Sequence, residues 1–211
     1  MAGRMKYRAK NVAKLPRFDP ERSARAGVEI LEKAGVGFAL AGRVAVWTYL
    51  PPDQQAYTKD VDFAVLHKDM GKVASAVSAA GLTGKPMEIG GLAVRSGDVS
   101  VDFVDRHPDL EELFASAIRA AQRRGPRAIV GRRRIPVVPK DYLIAMKIAT
   151  MEEKDEKDAE RLILTVAQTE YGRLRSLIRK SLGPVLAMRL DVIARRAGHP
   201  SAKSSLHERH A

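Results

Sequence analysis

The sequence contains no cysteine, which excludes disulfide bonds and zinc sites built on thiolates. Aromatic residues make up only 5% of the chain, too few to favour the base-stacking sheet of the RNA-recognition domains. No apolar run approaches the ~18 residues that a membrane-spanning helix needs, and the basic N-terminal segment lacks the apolar core of a secretory signal. These absences predict a cytoplasmic protein without a membrane partner.

Acidic residues are the scarcer charged class, with 25 Asp and Glu against 37 Lys and Arg, which gives a net charge of +12. Such an excess favours polyanionic partners, either nucleic acid or nucleotide phosphates, although it also serves general solubility. Six arginines are close in sequence around one predicted hairpin: Arg123, Arg124, Arg127, Arg132, Arg133 and Arg134. This arginine cluster is a candidate contact surface for the phosphate backbone of tRNA, the alternative being a hairpin tip made soluble by charge.

The length of 211 residues suits one domain with a helical extension, or two small domains. Hydrophobic periodicity predicts mixed helices and strands in the first part and helices only from Pro139 onward. We therefore predict a basic N-terminal arm at residues 1–20, a core at 21–138, a helical part at 139–198 and a disordered tail at 199–211. The predicted fold class is α+β, with a mixed sheet flanked by helices and followed by a helical bundle.

A glycine separates a predicted strand from a predicted helix near the start of the core. The strand "VGFALAG" ends at Gly42, and the helix "RVAVWTYL" follows until Pro51. A turn of this kind presents backbone N–H groups and the positive end of a helix to phosphates. Gly42 is therefore a candidate nucleotide-binding residue.

Two carboxylates lie two residues apart in the predicted strand "KDVDFAVL". Because side chains alternate along a strand, Asp60 and Asp62 share one face, opposite the apolar face that contains Phe63. Two like charges at this spacing repel each other, and a hard divalent cation such as Mg²⁺ (or Mn²⁺) removes that penalty. The alternative is a solvent-facing edge strand with Lys59 as the counter-ion.

A third carboxylate, Asp102, lies in "VSVDFVD", the second strand of a hairpin predicted to turn at Ser96-Gly97-Asp98. The same alternation separates Asp102 from the apolar side chains on either side of it. A carboxylate from an adjacent strand completes the ligand set of a two-metal site for phosphoryl transfer. Asp60, Asp62 and Asp102 are therefore the candidate catalytic and metal-binding residues.

The ordered set "LAGRVAVWTYL…TKDVDFAVL…VSVDFVD" resembles the core of the nucleotidyltransferase superfamily, the DNA polymerase β-like minimal fold. That family combines a turn of two small residues, a helix, a D-x-D strand and a distant Asp. The downstream segment "VPKDYLIAMKIATMEEKDEKDAERLI" is similar to the abortive-infection (AbiE-type) toxin branch, which has an inward Lys and a K-D-x-x-D motif. The matching positions are Lys147, then Lys154, Asp155 and Asp158. The resemblance covers roughly residues 28 to 165.

The resemblance implies an enzyme that transfers a nucleoside monophosphate from an NTP to a hydroxyl acceptor, with Mg²⁺ or Mn²⁺ as cofactor. It implies that Lys147 contacts the triphosphate of the nucleotide and that Asp158 lies beside it. The alternative for Lys147 is a surface residue whose aliphatic part packs on the protein while its ammonium group reaches solvent. The alternative for Asp158 is a surface i,i+4 salt bridge with Lys154. The toxin branch further implies a tRNA end as acceptor and a cognate antitoxin as partner.

Two departures from the family pattern support an alternative reading of the chain. Arg43 stands where the family has Ser or Gly, and residues 44 to 59 make a longer connection to Asp60 than the family has. Arg43 is a candidate phosphate-binding residue in its own right, since a guanidinium pairs well with phosphate oxygens. The alternative function is a catalytically inactive nucleotidyltransferase fold that binds RNA or a partner protein.

Overall fold

The computed structural model describes residues 19–201, which divide into two compact units, the first ending at Pro139 and the second beginning at Lys140. Most of the predicted arm (1–20) and of the predicted tail (199–211) lies outside the described residues. No helix between residues 19 and 201 is both long and apolar enough to cross a membrane.

The first unit is built on a five-stranded mixed sheet with the order β1-β2-β5-β4-β3 and on a separate hairpin, β6-β7. The strands are β1 (Phe38–Ala41), β2 (Val61–Val65), β3 (Gly84–Pro86), β4 (Leu92–Ser96), β5 (Val99–Val104), β6 (Arg127–Val130) and β7 (Arg133–Pro136). β2 and β5 pair in parallel, while the other neighbouring strands pair antiparallel. Both predicted hairpins are confirmed, whereas the short strand β3 was not predicted because its sequence, "GKP", has no apolar alternation.

Four helices accompany the sheet: α1 (Pro20–Ala34), α2 (Gly42–Trp47), α3 (Met70–Ala79) and α4 (Glu111–Arg124). α1 begins where the Asp19 carboxylate accepts hydrogen bonds from two backbone N–H groups, and it ends at Gly35 in the left-handed conformation. α1 approaches the sheet closely at Gly27, where a Cβ atom would lie only 2.4 Å from the ring of Phe63. The helix after Gly42 is shorter than predicted, since it ends at Trp47 rather than next to Pro51.

β2 is a central strand of the sheet and not an edge strand. β2 lies between β1 and β5, and Phe63 and Ala64 are both fully buried although they face opposite sides of the sheet. On one side, the Phe63 ring stacks on Phe103, with 6.3 Å between the ring centroids. The interpretation of this segment as a solvent-facing edge strand is therefore wrong. Asp62 belongs to a strand that is covered on both faces, whereas Asp60, which was predicted within the strand, lies just before it.

The second unit is helical, as predicted, with α5 (Lys140–Thr150), α6 (Glu153–Leu164), α7 (Gln168–Leu182) and α8 (Pro184–Arg196). Proline follows the glycine at the α7–α8 junction and occupies the first turn of α8, a position that needs no backbone N–H. His199, which polarity alone assigns to the tail, is 2% exposed, and its ring stacks on Tyr171 with 4.9 Å between the centroids. Packing therefore continues into the first residues of the predicted tail.

Candidate active site

Two of the three predicted carboxylates are direct neighbours across the parallel strands. Asp62 on β2 and Asp102 on β5 occupy the same register position, and Asp60 lies immediately before β2. Because paired residues project to the same side of a sheet, Asp62 and Asp102 share one face. All three residues are partly covered, and the side chain of Asp102 retains only 13% exposure. The structure thus places Asp62 and Asp102 side by side on the sheet, with Asp60 just before β2.

Gly42 lies against this position from the other neighbouring strand. β1 pairs with β2 so that Ala41 is opposite Asp62, and Gly42 then begins α2 with a φ of 58°. A Cβ atom on Gly42 would lie 1.8 Å from Oδ2 of Asp62. The glycine is therefore required twice, for its left-handed backbone and for the space that the Asp62 carboxylate occupies.

We expect Gly42→Ala to lower the free energy of unfolding by about 1–3 kcal/mol, because it adds a strained φ and forces the Asp62 carboxylate to move. Urea unfolding measures the change. The matched control is Gly71→Ala within α3, where a Cβ would contact nothing within 4 Å and where alanine is the better helix former. Equal stability of the two variants would contradict the close contact between Gly42 and Asp62.

The long connection between α2 and β2 is tied to α2 by side chains. Arg43 donates through Nη1 to the carbonyl oxygen of Tyr57 at 2.8 Å, and Trp47 donates through Nε1 to that of Ala56 at 2.9 Å. At the end of the connection, the hydroxyl of Thr58 donates to Oδ1 of Asp60 at 2.9 Å. The two departures from the family pattern are therefore structurally linked, because the guanidinium of Arg43 binds the long connection that leads to Asp60.

Arg95 on β4, which the sequence analysis did not single out, contacts the candidate site at Asp102. Its Nη1 lies 2.5 Å from Oδ1 of Asp102 and donates hydrogen bonds to the carbonyl oxygens of Val94 and Val101, each at 3.0 Å. Burial lowers the pKa of the Arg95 guanidinium, but the contact with Asp102 and the charges of Asp102, Asp60 and Asp62 outweigh this, so the pKa lies above its ordinary value.

The register of the β4–β5 hairpin brings Arg95 to Asp102. The chain turns at Gly97-Asp98 and pairs Ser96 with Val99, so Ala93 is opposite Asp102, and Arg95 is two residues further along the same face of β4. The predicted three-residue turn, which includes Ser96, would have shifted the register by one residue and placed Arg95 on the other face. Diagonal neighbours of this kind are about 7–8 Å apart at Cα, within reach of an arginine side chain. The hairpin alone therefore brings a cation to Asp102.

The aspartates match a divalent cation in their chemistry but are not gathered around one point. Among residues 19–201 no group of three or more His, Asp or Glu side chains has an arrangement that could hold a metal ion. However, Oδ1 of Asp102 is buried and accepts no aligned hydrogen bond, because both Nη1 hydrogens of Arg95 are directed at backbone carbonyls. A buried carboxylate oxygen that has an ion-pair contact but no aligned hydrogen bond, with Asp62 beside it in register, is the kind of ligand that Mg²⁺ takes.

Lys147 and Asp158, the predicted nucleotide-binding residues of the helical part, contact each other within the second unit. The ammonium nitrogen of Lys147 lies 2.5 Å from Oδ1 of Asp155 and 3.2 Å from Oδ2 of Asp158. These three side chains are buried, and Thr150 donates a further hydrogen bond to Asp155 at 2.8 Å. Lys147 is thus not a snorkelling surface residue, and it joins α5 to α6.

The arginine cluster divides into two groups in the structure. Arg127 donates to four carbonyl oxygens at the end of α4, and Arg133 pairs with Glu29 and Glu32 on α1. These two residues stabilise the first unit. The other members are exposed: Arg123, Arg124, Arg132 and Arg134.

Two histidines lie together where the parallel strands end. The rings of His67, after β2, and His107, after β5, stack with 3.7 Å between their centroids. Nδ1 of His67 lies 2.8 Å from Oδ2 of Asp105, which is 3% exposed, and Nδ1 of His107 lies 2.7 Å from Glu111. These contacts satisfy a buried carboxylate and join the two strand ends, which is a structural role.

No family model matches the chain, and no curated protein matches it in sequence. Among solved structures, the crystal structure of ANT(2'')-Ia in complex with adenylyl-2''-tobramycin is 12% identical to this chain and covers 76% of it and 97% of its own length, with a TM-score of 0.53. The solution structure of ANT(2'')-Ia is 15% identical over 90% of this chain and 97% of its own, with a TM-score of 0.48. A nucleotidyltransferase-like protein from Paracoccidioides brasiliensis is 14% identical over 81% of this chain and 93% of its own length, with a TM-score of 0.43. The likeness to the first of these confirms the predicted fold class without distinguishing the AbiE-type branch, and this chain has a nucleotidyltransferase-like fold.

Proposed function

We propose that the protein is a metal-dependent nucleotidyltransferase that transfers a nucleoside monophosphate from an NTP to a hydroxyl acceptor. The observation that carries the proposal is the register pair Asp62–Asp102 on parallel strands, with Asp60 before one strand and Gly42 against the other side of Asp62. The nucleotidyltransferase-like fold supports it. Neither the register pair nor the glycine contact is needed to build a sheet, whereas phosphoryl transfer needs grouped carboxylates beside a phosphate-binding turn.

Each residue has a proposed role. Asp60 and Asp62 would hold Mg²⁺ or Mn²⁺, and Asp102 would share in this and orient the acceptor hydroxyl. Bound metal would supply positive charge to the NTP phosphates and to the leaving pyrophosphate. Gly42 would allow the backbone of the turn to approach the phosphates, and Arg43 would steady the connection that positions Asp60.

The acceptor is proposed at the level of its chemistry. The net charge of +12 and the exposed arginines of the cluster favour a polyanion, and a tRNA end satisfies both this and the requirement for a hydroxyl. A tRNA acceptor would agree with a toxin whose cognate antitoxin restrains it. The second candidate acceptor is an aminoglycoside hydroxyl, suggested by the adenylyl-2''-tobramycin bound in the structurally similar ANT(2'')-Ia.

The test is transfer of label from each of four α-labelled NTPs to total tRNA, to tobramycin and to protein, with Mg²⁺, with Mn²⁺ or with EDTA. We expect label in one acceptor fraction and none with EDTA, because the charge on the transferring group requires the cation. Label in tRNA supports the toxin reading, and label in tobramycin supports the aminoglycoside. Intact binding of NTP without transfer to any fraction would instead support the inactive binding module.

A further inference from the structure

The contact between Arg95 and Asp102 lies within the carboxylate group proposed to bind metal. Arg95 projects from β4 on the face of Asp102, and its Nη1 lies 2.5 Å from Oδ1 of that residue. Its side chain is 48% exposed, against 13% for Asp102. The guanidinium therefore covers Asp102 from the solvent side and has open space into which it can move.

The contact and a metal ion compete for the same oxygen. Mg²⁺ binds carboxylate oxygens at about 2.0–2.1 Å, so an ion on Oδ1 of Asp102 would lie at most about 4.6 Å from Nη1 of Arg95. Two cations at this separation in a partly desolvated site repel each other strongly. Metal binding to this oxygen therefore disfavours the present place of the guanidinium.

The carboxylates also need a cation when metal is absent. Asp62 and Asp102 are adjacent in register on parallel strands, and Asp60 is two residues from Asp62. Like charges so placed destabilise a sheet unless a counter-ion is near. Arg95 is the cation that the structure places in contact with Asp102, and the charges of Asp60 and Asp62 also act on it.

We infer that Arg95 is the counter-ion of the metal-free site and that its contact with Asp102 and the binding of a divalent cation exclude each other. This inference rests on the proposed function, since it concerns the same three carboxylates. Arg95 is therefore a positioning residue, which holds Asp102 in place in the absence of metal. It also lowers the affinity of the site for a divalent cation when no nucleotide is bound. The half-exposed guanidinium is released toward solvent when the cation binds.

The experiment measures Mn²⁺ affinity by calorimetry and the melting temperature with and without Mn²⁺, for the full chain and for Arg95→Met. We expect Arg95→Met to bind Mn²⁺ about fivefold more tightly, the scale of one partly exposed ion pair. Without Mn²⁺ its melting temperature should fall below that of the wild type, and Mn²⁺ should restore it. Arg95→Lys, which keeps the charge, should return the affinity toward the wild-type value.

The matched control is Arg22→Ala, which removes another arginine–aspartate pair. Arg22 on α1 lies 2.6 Å from Asp98, which is in the turn of the β4–β5 hairpin. Its Mn²⁺ affinity should equal that of the wild type. If the wild type binds Mn²⁺ and transfers label but Arg95→Met binds Mn²⁺ equally or more weakly, the inference is overturned while the proposed function stands. If neither protein binds Mn²⁺ and no label is transferred, both fail.

Discussion

Asp62→Asn is expected to reduce nucleotidyl transfer by at least about 100-fold, since removal of a single group that stabilises transition-state charge typically costs 10²–10³. Asp62 is the central carboxylate of the site: Ala41 is opposite it on one side, Asp102 on the other, and Gly42 leaves space for its side chain. Asparagine keeps the size of the side chain and removes the charge that would hold the cation. Initial rates of label transfer at saturating NTP measure the loss.

The control for Asp62→Asn is Asp98→Asn, in the turn between β4 and β5. Asp98 is paired with Arg22 outside the carboxylate group, and its substitution should leave the transfer rate within about twofold of the wild type, as for an exposed ion pair. Circular dichroism of both variants should match the wild type. Transfer by Asp62→Asn at the wild-type rate, with the fold intact, would remove Asp62 from the mechanism and leave the binding module as the better reading.

Lys147→Met is expected to lower the free energy of unfolding by about 3–5 kcal/mol, the cost of removing one partner of a buried ion pair. The substitution leaves Asp155 and Asp158, with side chains 9% and 1% exposed, without the ammonium group between them. Arg161, which is 3.5 Å from Asp158, would compensate only one of them. Urea unfolding measures the loss, and adding Asp155→Asn to Lys147→Met should recover part of it, since one buried charge is then absent.

The control for Lys147→Met is Lys157→Met on α6, whose ammonium group pairs with Glu153 on the exposed side of the helix. It should change the stability by no more than about 0.5 kcal/mol. The prediction that Lys147 binds the triphosphate has a different signature, because stability would then change little and the affinity for NTP would fall. A fall in NTP affinity at unchanged stability would assign Lys147 to the nucleotide rather than to the α5–α6 junction.

The sequence by itself determined the local elements and the candidate carboxylates. Alternation identified the strands of Asp62 and Asp102, a glycine marked the start of α2 at Gly42, and turn residues located the β4–β5 hairpin, whose turn is Gly97-Asp98. These features depend on contacts between residues near in the chain, whose geometry follows from backbone periodicity and turn chemistry. The register of this hairpin also places Arg95 on the face of Asp102, although a single arginine in a basic protein is not recognisable from the sequence as a partner of Asp102.

Only the tertiary structure decided which distant residues meet. β2 and β5 pair in parallel although Asp62 and Asp102 are forty positions apart in the sequence. Their adjacency therefore depends on how the intervening elements α3, β3 and β4 pack. The contact of Gly42 with Asp62 and the burial of Lys147 between two aspartates likewise depend on distances that no periodicity encodes. Burial and charge pairing are properties of the packed chain, since the low dielectric and the partners that give them their energy exist only after folding.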